Sequence, residues 1–425
     1  MISRREFIKN TTAAGLVFTL HGVQNPSFAQ DLRRVENLDA ESLAKDEDFW
    51  MWVRDSFTAS KTIINLNNGG VSPQPRQVQE AHIHYYKMCN EAPSYYMWRI
   101  LDQGREPLRE RLAHLAGCDK EEIAINRNST EALNTIIFGL DFRRGDEVIL
   151  SKYDYPNMIN AWNQRAKRDG IVLRFVELNL PNDNTSELVQ AYTSLINSKT
   201  KVIHLTHVIN WTGQIIPVQE IGFIAKQKGI EVIVDGAHSF AQLSFKVSDL
   251  NCDYFGTSLH KWLCAPFGSG LLYIRKEKIS KIWALLSSNQ PDGTDIRKFE
   301  TIGTRNFASE MSIAHAIDFH DSIGSERKLA RLRYLKNYWH SQVRNFENLI
   351  SNTTFDLNKS CALAHISIKG KTASEFELFL FSKFKIHCSP IGWETLDGVR
   401  ITPHLYTSLK DLDRLVEAIH AYCKK

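Results

Sequence analysis

Two residues at the ends of predicted strands could carry chemistry, Asp235 and Lys261. Asp235 directly follows the apolar run at 232–234, and Lys261 comes later, after the strand-like stretch CDYFGTSLH. A lysine amine can form an imine with an aldehyde, and a carboxylate can stabilise a neighbouring protonated group. Ligands of open α/β sheets bind beyond the carboxyl ends of the strands. Either residue alone would usually be a surface charge, so the pair is the informative feature.

The elements that would position this pair are short Val/Ile-rich segments separated by helical ones. The strand-like segments include EEIAIN, DEVILS, VLRFVEL, KVIHLTHV and EVIVDGA. This alternation predicts βαβ units on a largely parallel sheet with both faces covered. After Thr304 the pattern changes to long helices and a few strands, as in an α+β domain. We predict a helical segment at 30–60, a large domain at 61–310 and a small domain at 311–425.

Composition places the chain among ordinary globular proteins of more than one domain. It has 425 residues, 43% of them hydrophobic and 24% charged, and 52 basic against 48 acidic residues. A net charge of +4 over this length does not indicate a nucleic-acid partner. The seven cysteines form no CxxC pair, so neither a zinc site nor a complete disulfide framework is expected.

The N-terminal segment 1–29 resembles a bacterial twin-arginine export signal. Arg4 and Arg5 precede a modest apolar stretch, and the segment 27–29, Ser-Phe-Ala, resembles a cleavage site. The apolar stretch is shorter than the ~20 residues that span a bilayer. The sequence therefore predicts export of the folded protein to the periplasm. The alternative is a basic helix that stays attached to a cytoplasmic protein.

Residues 232–276 resemble the cofactor core of the class V aminotransferases, the family of cysteine desulfurases, kynureninase and isopenicillin N epimerase-like proteins. In that family an Asp ends one strand and a His-Lys pair follows the next, as Asp235 and His260-Lys261 do here. The resemblance implies pyridoxal 5'-phosphate bound as a Schiff base to Lys261, with Asp235 keeping the pyridine nitrogen protonated. It also implies the aspartate aminotransferase fold (type I), an α/β fold with a mainly parallel seven-stranded sheet between helices and a small α+β C-terminal domain.

The resemblance assigns further cofactor contacts around this core. His238 matches a residue at the cofactor ring, and Ser258 and His260 match phosphate contacts. The plainer roles are a helix cap for His238 and turn hydrogen bonds for Ser258 and His260. Ser129 and Thr130, in RNSTEAL, resemble the phosphate-binding turn of the family, although the pattern is also an ordinary helix cap.

Other segments supply the remaining predicted contacts. Tyr155 is expected to stack on the cofactor face, and Asn210 to bind its 3-oxygen. Thr304, in ETIGTRN, resembles the loop that reaches the phosphate of the other subunit, which implies a homodimer. Arg400, in GVRITP, resembles the arginine that binds the substrate carboxylate, because a guanidinium matches a carboxylate bidentately. Asn67 is assigned to the substrate as well. The alternatives are a tyrosine at a loop base, a bare turn at Thr304 and a surface ion pair of Arg400.

The reaction is the least determined feature. The segments DYPNM, IGTRN and GVRITPHLYTS look closest to the isopenicillin N epimerase-like branch, so epimerisation, racemisation or transamination of an amino acid is expected. The alternative is a cysteine desulfurase or another C-S or β-lyase. Cys388 precedes Arg400 as a desulfurase thiol would, but the segment between them lacks a long loop, so a buried thiol is predicted.

Two other classes of protein are disfavoured relative to an enzyme of this family. A non-catalytic binding protein of the same fold would have no use for Lys261 together with Asp235 and Arg400. A nicotinamide dehydrogenase is disfavoured because no GxGxxG follows an early strand.

Overall fold

The computed structural model describes residues 38–424, so the predicted export signal lies outside the described residues. The α-helices are α1 Ala40–Leu43, α2 Glu47–Asp55, α3 Arg76–Glu91, α4 Pro93–Tyr95, α5 Arg105–Ala116, α6 Ser129–Gly139, α7 Pro156–Asp169, α8 Thr185–Thr193, α9 Val218–Gln227, α10 Phe307–Ile323, α11 Ser325–Val343, α12 Ala373–Phe384 and α13 Leu409–Cys423. A π-helix spans Tyr96–Ile100, and 3-10 helices span Leu101–Gly104, Lys120–Glu122, Val247–Leu250, Lys276–Lys281 and Ile296–Glu300.

Within residues 38–424 the strands form three sheets. They are β1 Ile64–Asn65, β2 Ile123–Asn126, β3 Glu147–Ser151, β4 Val172–Val176, β5 Thr200–Thr206, β6 Glu231–Asp235, β7 Tyr254–Ser258, β8 Gly270–Ile274, β9 Leu349–Ser351, β10 Ala364–Ile368, β11 Ile386–His387, β12 Ser389–Trp393 and β13 Leu396–Ile401.

The largest sheet has seven strands in the order β2-β8-β7-β6-β5-β3-β4. β8 runs antiparallel to both of its neighbours, and the other pairs in this sheet are parallel. All residues of β2, β3, β7 and β8 are buried, which is the pattern of strands covered by helices on both faces. The predicted fold class, α/β with a mainly parallel seven-stranded sheet, is confirmed.

The second sheet is antiparallel, with the order β12-β13-β10-β9, and it packs on helices α11, α12 and α13. β1 pairs with β11, and Leu66 packs into the core beneath this sheet. Residues 64–66 therefore pack with the C-terminal part of the chain, although they precede the large sheet. The predicted domain limit at 310/311 falls within α10, and the limits stay a prediction.

Three features bear on function classes. The seven cysteines all lie within the described residues and are free thiols. Residues 38–424 contain no group of three or more His, Cys, Asp and Glu side chains arranged to hold a metal ion. In the same range, no helix combines the length and the apolar character that crossing a membrane requires.

Candidate active site

Asp235 and Lys261 meet at the carboxyl edge of the large sheet. Asp235 ends β6, and Lys261 lies just beyond the adjacent strand β7. Asp235 is 4% exposed and accepts a hydrogen bond at Oδ1 from the Ala237 amide, 2.9 Å away. Its burial raises its pKa, an effect that the Ala237 amide and Lys261 oppose. A Cβ atom at Gly236 would lie 1.9 Å from the Phe255 ring, so this turn requires glycine.

The amine of Lys261 is the central group of the site. Burial lowers its pKa to about 8; Asp235 counteracts this shift, whereas the positive charge of Arg400 adds to it. About a tenth of the amine is therefore uncharged at pH 7, and this fraction can act as a nucleophile or a base.

His238 contacts this amine directly. Its Nε2 lies 3.1 Å from Lys261 Nζ, and its Nδ1 accepts a hydrogen bond of 3.4 Å from the Trp262 indole. Burial holds the pKa of His238 well below its usual value, so the ring is neutral. Nε2 faces the lysine amine, and the direction of that hydrogen bond follows the tautomer of the ring. The structure thus brings His238 into the site, beside the position expected for the cofactor.

Ser129 and Ser258 converge at the N-terminus of α6. The Ser258 hydroxyl accepts from the Ser129 amide at 2.9 Å, and the two hydroxyl oxygens are 3.0 Å apart. Asn128 caps the helix by accepting from the Glu131 amide. Thr130 is half-buried in the first turn. A helix N-terminus with hydroxyl groups offers the donors that a phosphate requires.

His260 makes a turn hydrogen bond, which was the alternative to its predicted phosphate contact. Its Nδ1 lies 3.1 Å from the Ser269 carbonyl oxygen, and its own carbonyl accepts from the Ser72 amide at 3.1 Å. Burial is the main cause of its lowered pKa. The described contacts of His260 thus stabilise the loop that carries Lys261, and its phosphate role stays a prediction.

Arg400, on β13, faces the same space from the C-terminal part of the chain. Its Nη1 donates to the Asn210 carbonyl at 2.9 Å and its Nη2 to Asn67 Oδ1 at 3.0 Å, whereas its buried Nε has no partner among the described residues. Burial lowers its pKa to about 10, so it is still charged at neutral pH. These hydrogen bonds go to neutral oxygens, and the guanidinium keeps its charge for a ligand.

Tyr155 and Asn210 lie on the loops around Arg400. Tyr155 precedes α7, is 40% exposed and interacts electrostatically with Arg400. The buried Asn210 Oδ1 lacks a hydrogen-bond partner within residues 38–424. A buried acceptor without a partner is costly, which favours a ligand donor at this position.

Thr304 lies apart from this group, whereas Cys388 interacts electrostatically with Arg400 but is buried. Thr304 is exposed in the loop between the Ile296–Glu300 helix and α10, and no described contact joins it to Ser129 or Ser258. Cys388 is 1% exposed and packs in the core beneath the antiparallel sheet. Burial is the main cause of its raised pKa, so it is a poorly nucleophilic thiol.

Sequence reasoning missed Asp154, a buried acid near Asp235. Its Oδ1 accepts from the Thr206 hydroxyl at 2.7 Å and its Oδ2 from the Ser151 amide at 2.8 Å. Burial raises its pKa to about 7, and the charge of Asp235 adds to the shift. Asp154 lies just after β3, so the same strand-end rule that identified Asp235 could have identified it.

These groups fit pyridoxal phosphate. Lys261 offers an amine for the aldehyde, Asp235 a carboxylate for the ring nitrogen, and the α6 N-terminus donors for the phosphate. The unpartnered Asn210 acceptor fits a protonated ring substituent.

Comparisons with known proteins show which family the chain belongs to. The aminotransferase class-V family model matches residues 64–415. Isopenicillin N epimerase of Streptomyces clavuligerus is 28% identical over 391 residues, covering 88% of this chain and 98% of that protein. A cysteine desulfurase of Haloferax volcanii is 28% identical over 386 residues, covering 84% and 89%.

Solved structures show the same fold. An apo cysteine desulfurase from Thermococcus onnurineus NA1 superposes with a TM-score of 0.77 at 23% identity, covering 89% of this chain and 98% of that one. A C-DES mutant with glycine covalently linked to its pyridoxal phosphate superposes with a TM-score of 0.76 at 21% identity, covering 86% and 98%. The chain belongs to the class V aminotransferase family of pyridoxal phosphate-dependent enzymes.

Proposed function

We propose that this enzyme moves the α-proton of an amino acid, as an epimerase, a racemase or an aminotransferase. The observation that carries the proposal is the buried Lys261 amine, which lies 3.1 Å from His238 Nε2 and interacts electrostatically with Asp235 and Arg400. Pyridoxal phosphate supplies an aldehyde and an electron-withdrawing ring that stabilises negative charge at the α-carbon.

Each residue of the site has a separate proposed role toward that cofactor. Lys261 would hold it covalently through Nζ and, once released, accept and return the α-proton. Asp235 would keep the ring nitrogen protonated, and its burial strengthens that interaction by excluding water. Ser129, Thr130 and Ser258 would hold the phosphate.

Substrate binding is assigned to Arg400 and Asn67. Arg400 is charged and buried, and its two described hydrogen bonds go to neutral oxygens rather than to a carboxylate. The α-carboxylate of an amino acid would complete its coordination. Asn67 orients the guanidinium and lies beside the ligand space with His387, whose Nε2 is 3.4 Å from Asn67 Nδ2.

Cys388 supports this class of reaction over cysteine desulfuration. A desulfurase needs a mobile thiol that reaches the substrate, whereas Cys388 is buried at the start of a hairpin whose strands pair from Ser389 with Arg400 to Trp393 with Leu396. The turn of that hairpin consists only of Glu394 and Thr395. The second candidate is a cysteine desulfurase or another C-S or β-lyase, because several relatives are named cysteine desulfurases.

We also propose a homodimer in which Thr304 reaches the phosphate site of the second subunit. The support is a group of exposed aromatic side chains near the Thr304 loop: Trp98 is 40% exposed and Phe267 58%. The Arg305 guanidinium lies over the rings of Trp98 and Phe307. Apolar surface of this kind marks protein interfaces. Sedimentation is expected to give a dimer, and Thr304→Ala to weaken cofactor binding; a monomer with full activity would exclude the shared site.

Export through the twin-arginine pathway is proposed on the segment 1–29 alone. The double substitution Arg4→Lys and Arg5→Lys is expected to keep the precursor in the cytoplasm, as cell fractionation would show. Delivery of that double variant to the periplasm would contradict the proposal.

A panel of L- and D-amino acids tests the reaction. In deuterated water, racemisation or epimerisation incorporates deuterium at the α-carbon with inversion, whereas transamination releases an oxo acid. Lys261→Ala is the control, because it keeps the fold and lacks the amine. An enzyme that neither exchanges the α-proton nor forms an oxo acid from any panel member would contradict the proposal, and sulfide release from cysteine would support the lyase.

A further inference from the structure

The hairpin of β12 and β13 contacts the large sheet's loops at both of its ends. Its tip, residues 393–396, turns at Glu394, whose φ is +51°. Arg400 lies further along β13, about 13 Å from Leu396 at the usual rise per residue of a strand. The hairpin thus connects Arg400, the proposed ligand of the substrate carboxylate, to the residues that the tip contacts.

Two polar contacts and a ring stack attach the tip, and Leu396 packs in the core beside the large sheet. Trp393 Nε1 donates to the Lys152 carbonyl at 2.8 Å, and the Thr395 hydroxyl lies 3.1 Å from the Tyr153 hydroxyl. The Trp393 ring stacks on Trp211, with centroids 5.4 Å apart and an interplanar angle of 19°. A hydrogen bond, a hydroxyl pair and a ring stack together fix both the distance and the orientation of the tip.

These attachment points adjoin residues of the site. Lys152 and Tyr153 belong to the loop that leads into Tyr155, and Trp211 follows Asn210, whose carbonyl accepts from Arg400 Nη1. The 152–155 loop and the 210–211 peptide are therefore both bound to one hairpin. A displacement of the tip would move them relative to Arg400.

We propose that Trp393 is a positioning residue that fixes Tyr155 and Asn210 relative to Arg400. It acts through the loop and the peptide that it binds. This inference rests on the proposed function, since it takes Arg400 as the ligand of the substrate carboxylate. The substrate carboxylate would then meet a preassembled site, which lowers the entropic cost of binding.

The test compares Trp393→Ala and Trp393→Phe with Trp283→Ala. Phenylalanine keeps a ring for Trp211 and removes the bond to Lys152. Trp283 is a matched control, because it is 51% exposed and its indole donates to Asp141. We expect Trp393→Ala to raise KM roughly tenfold with kcat changed less than about threefold, Trp393→Phe to raise it less, and Trp283→Ala to change neither.

Two readouts need no turnover. Amide hydrogen exchange in residues 152–155 of the apoprotein is expected to accelerate in Trp393→Ala. The visible circular dichroism of the bound cofactor is expected to change while its absorbance, which reports attachment at Lys261, does not. Thermal unfolding would verify that each variant is folded.

The outcomes separate the two proposals. The positioning role is overturned if the wild-type enzyme is active and both Trp393 variants keep its amide hydrogen exchange, its visible circular dichroism and its KM. A wild-type enzyme that acts on no amino acid would overturn the proposed function, and the exchange and dichroism measurements would still decide the role of Trp393.

Discussion

The two sides of the site are built differently. Asp235, His238 and Lys261 come from one continuous segment, 235–261, at the ends of adjacent strands. Arg400 is held by Asn210 and by Asn67, which is 333 positions away in the chain. The cofactor side thus depends on the core of one sheet, whereas the carboxylate side depends on contacts between distant segments.

Because of this difference, we expect the two sides to affect different kinetic constants. Groups fixed by adjacent buried strands keep their spacing, as a proton transfer requires. Groups assembled from distant segments can shift with little loss of core packing, and such shifts change substrate affinity. We therefore expect variants on the cofactor side to lower kcat and variants on the carboxylate side to raise KM.

Lys261→Ala is expected to have the largest effect. Removal of the amine takes away the attachment point and the base, so turnover should fall at least about 10³-fold. The visible absorbance of the attached cofactor should vanish while circular dichroism in the far ultraviolet is unchanged. Retention of the visible band would identify another lysine as the attachment point.

Asp235→Asn is expected to lower kcat by about 10²–10³-fold, because the ring nitrogen loses its charged partner in a buried site. KM should change little, since this side does not bind the carboxylate. Steady-state kinetics would measure the split. A variant with normal kcat would remove Asp235 from the cofactor and weaken the contrast between the two sides.

Arg400→Ala is expected to raise KM by about 10–100-fold, the value of a charged hydrogen-bonded contact, with a small change in kcat. Arg400→Lys tests geometry, because lysine keeps the charge and loses the planar donor pair. Recovery of less than half of the lost affinity is expected. An unchanged KM in Arg400→Ala would place the carboxylate site elsewhere.

The pH dependence of cofactor capture separates Lys261 from an ordinary lysine. The amine reacts when uncharged, and its pKa of about 8 means that the uncharged fraction falls about tenfold per unit below that pH. The capture rate of the apoprotein should rise with pH and level off above about 8. A rate that continues to rise toward pH ~10 would show an unperturbed amine.

Cys388→Ala is expected to have the smallest effect on catalysis, less than about twofold, with a modest loss of thermal stability from the cavity left in the core. Cys361→Ala is a matched control, because that thiol is buried as well. A loss of activity greater than about tenfold in Cys388→Ala alone would favour thiol chemistry and the desulfurase alternative.

Much of the fold was predictable because its patterns are local. The strand-like segments EVIVDGA and CDYFGTSLHK became the adjacent strands β6 and β7, as their Val/Ile-rich or aromatic composition indicates. The helical stretch that begins at Arg76 is interrupted at Ala92 and contains the Tyr96–Ile100 π-helix, which no local pattern indicates. Pro93 cannot donate the helical hydrogen bond, and it starts a new helix instead.

The less predictable features depend on pairs that are distant in the chain. No local pattern pairs Ile64 with Ile386, or stacks Trp211 on Trp393. Asp154 could have been inferred from its place after β3, whereas its contact with Thr206 and its proximity to Asp235 required the order of β3, β5 and β6.

The sequence by itself determined the chemistry of the cofactor side, because an acid and a lysine at consecutive strand ends are brought together by the sheet that their own strands form. Only the tertiary structure decided that Asn67 and Asn210 hold Arg400, and that Trp393 attaches the hairpin to the Tyr155 loop. Burial and long-range contact depend on how separate segments pack, and the spacing of residues along the chain does not encode that packing.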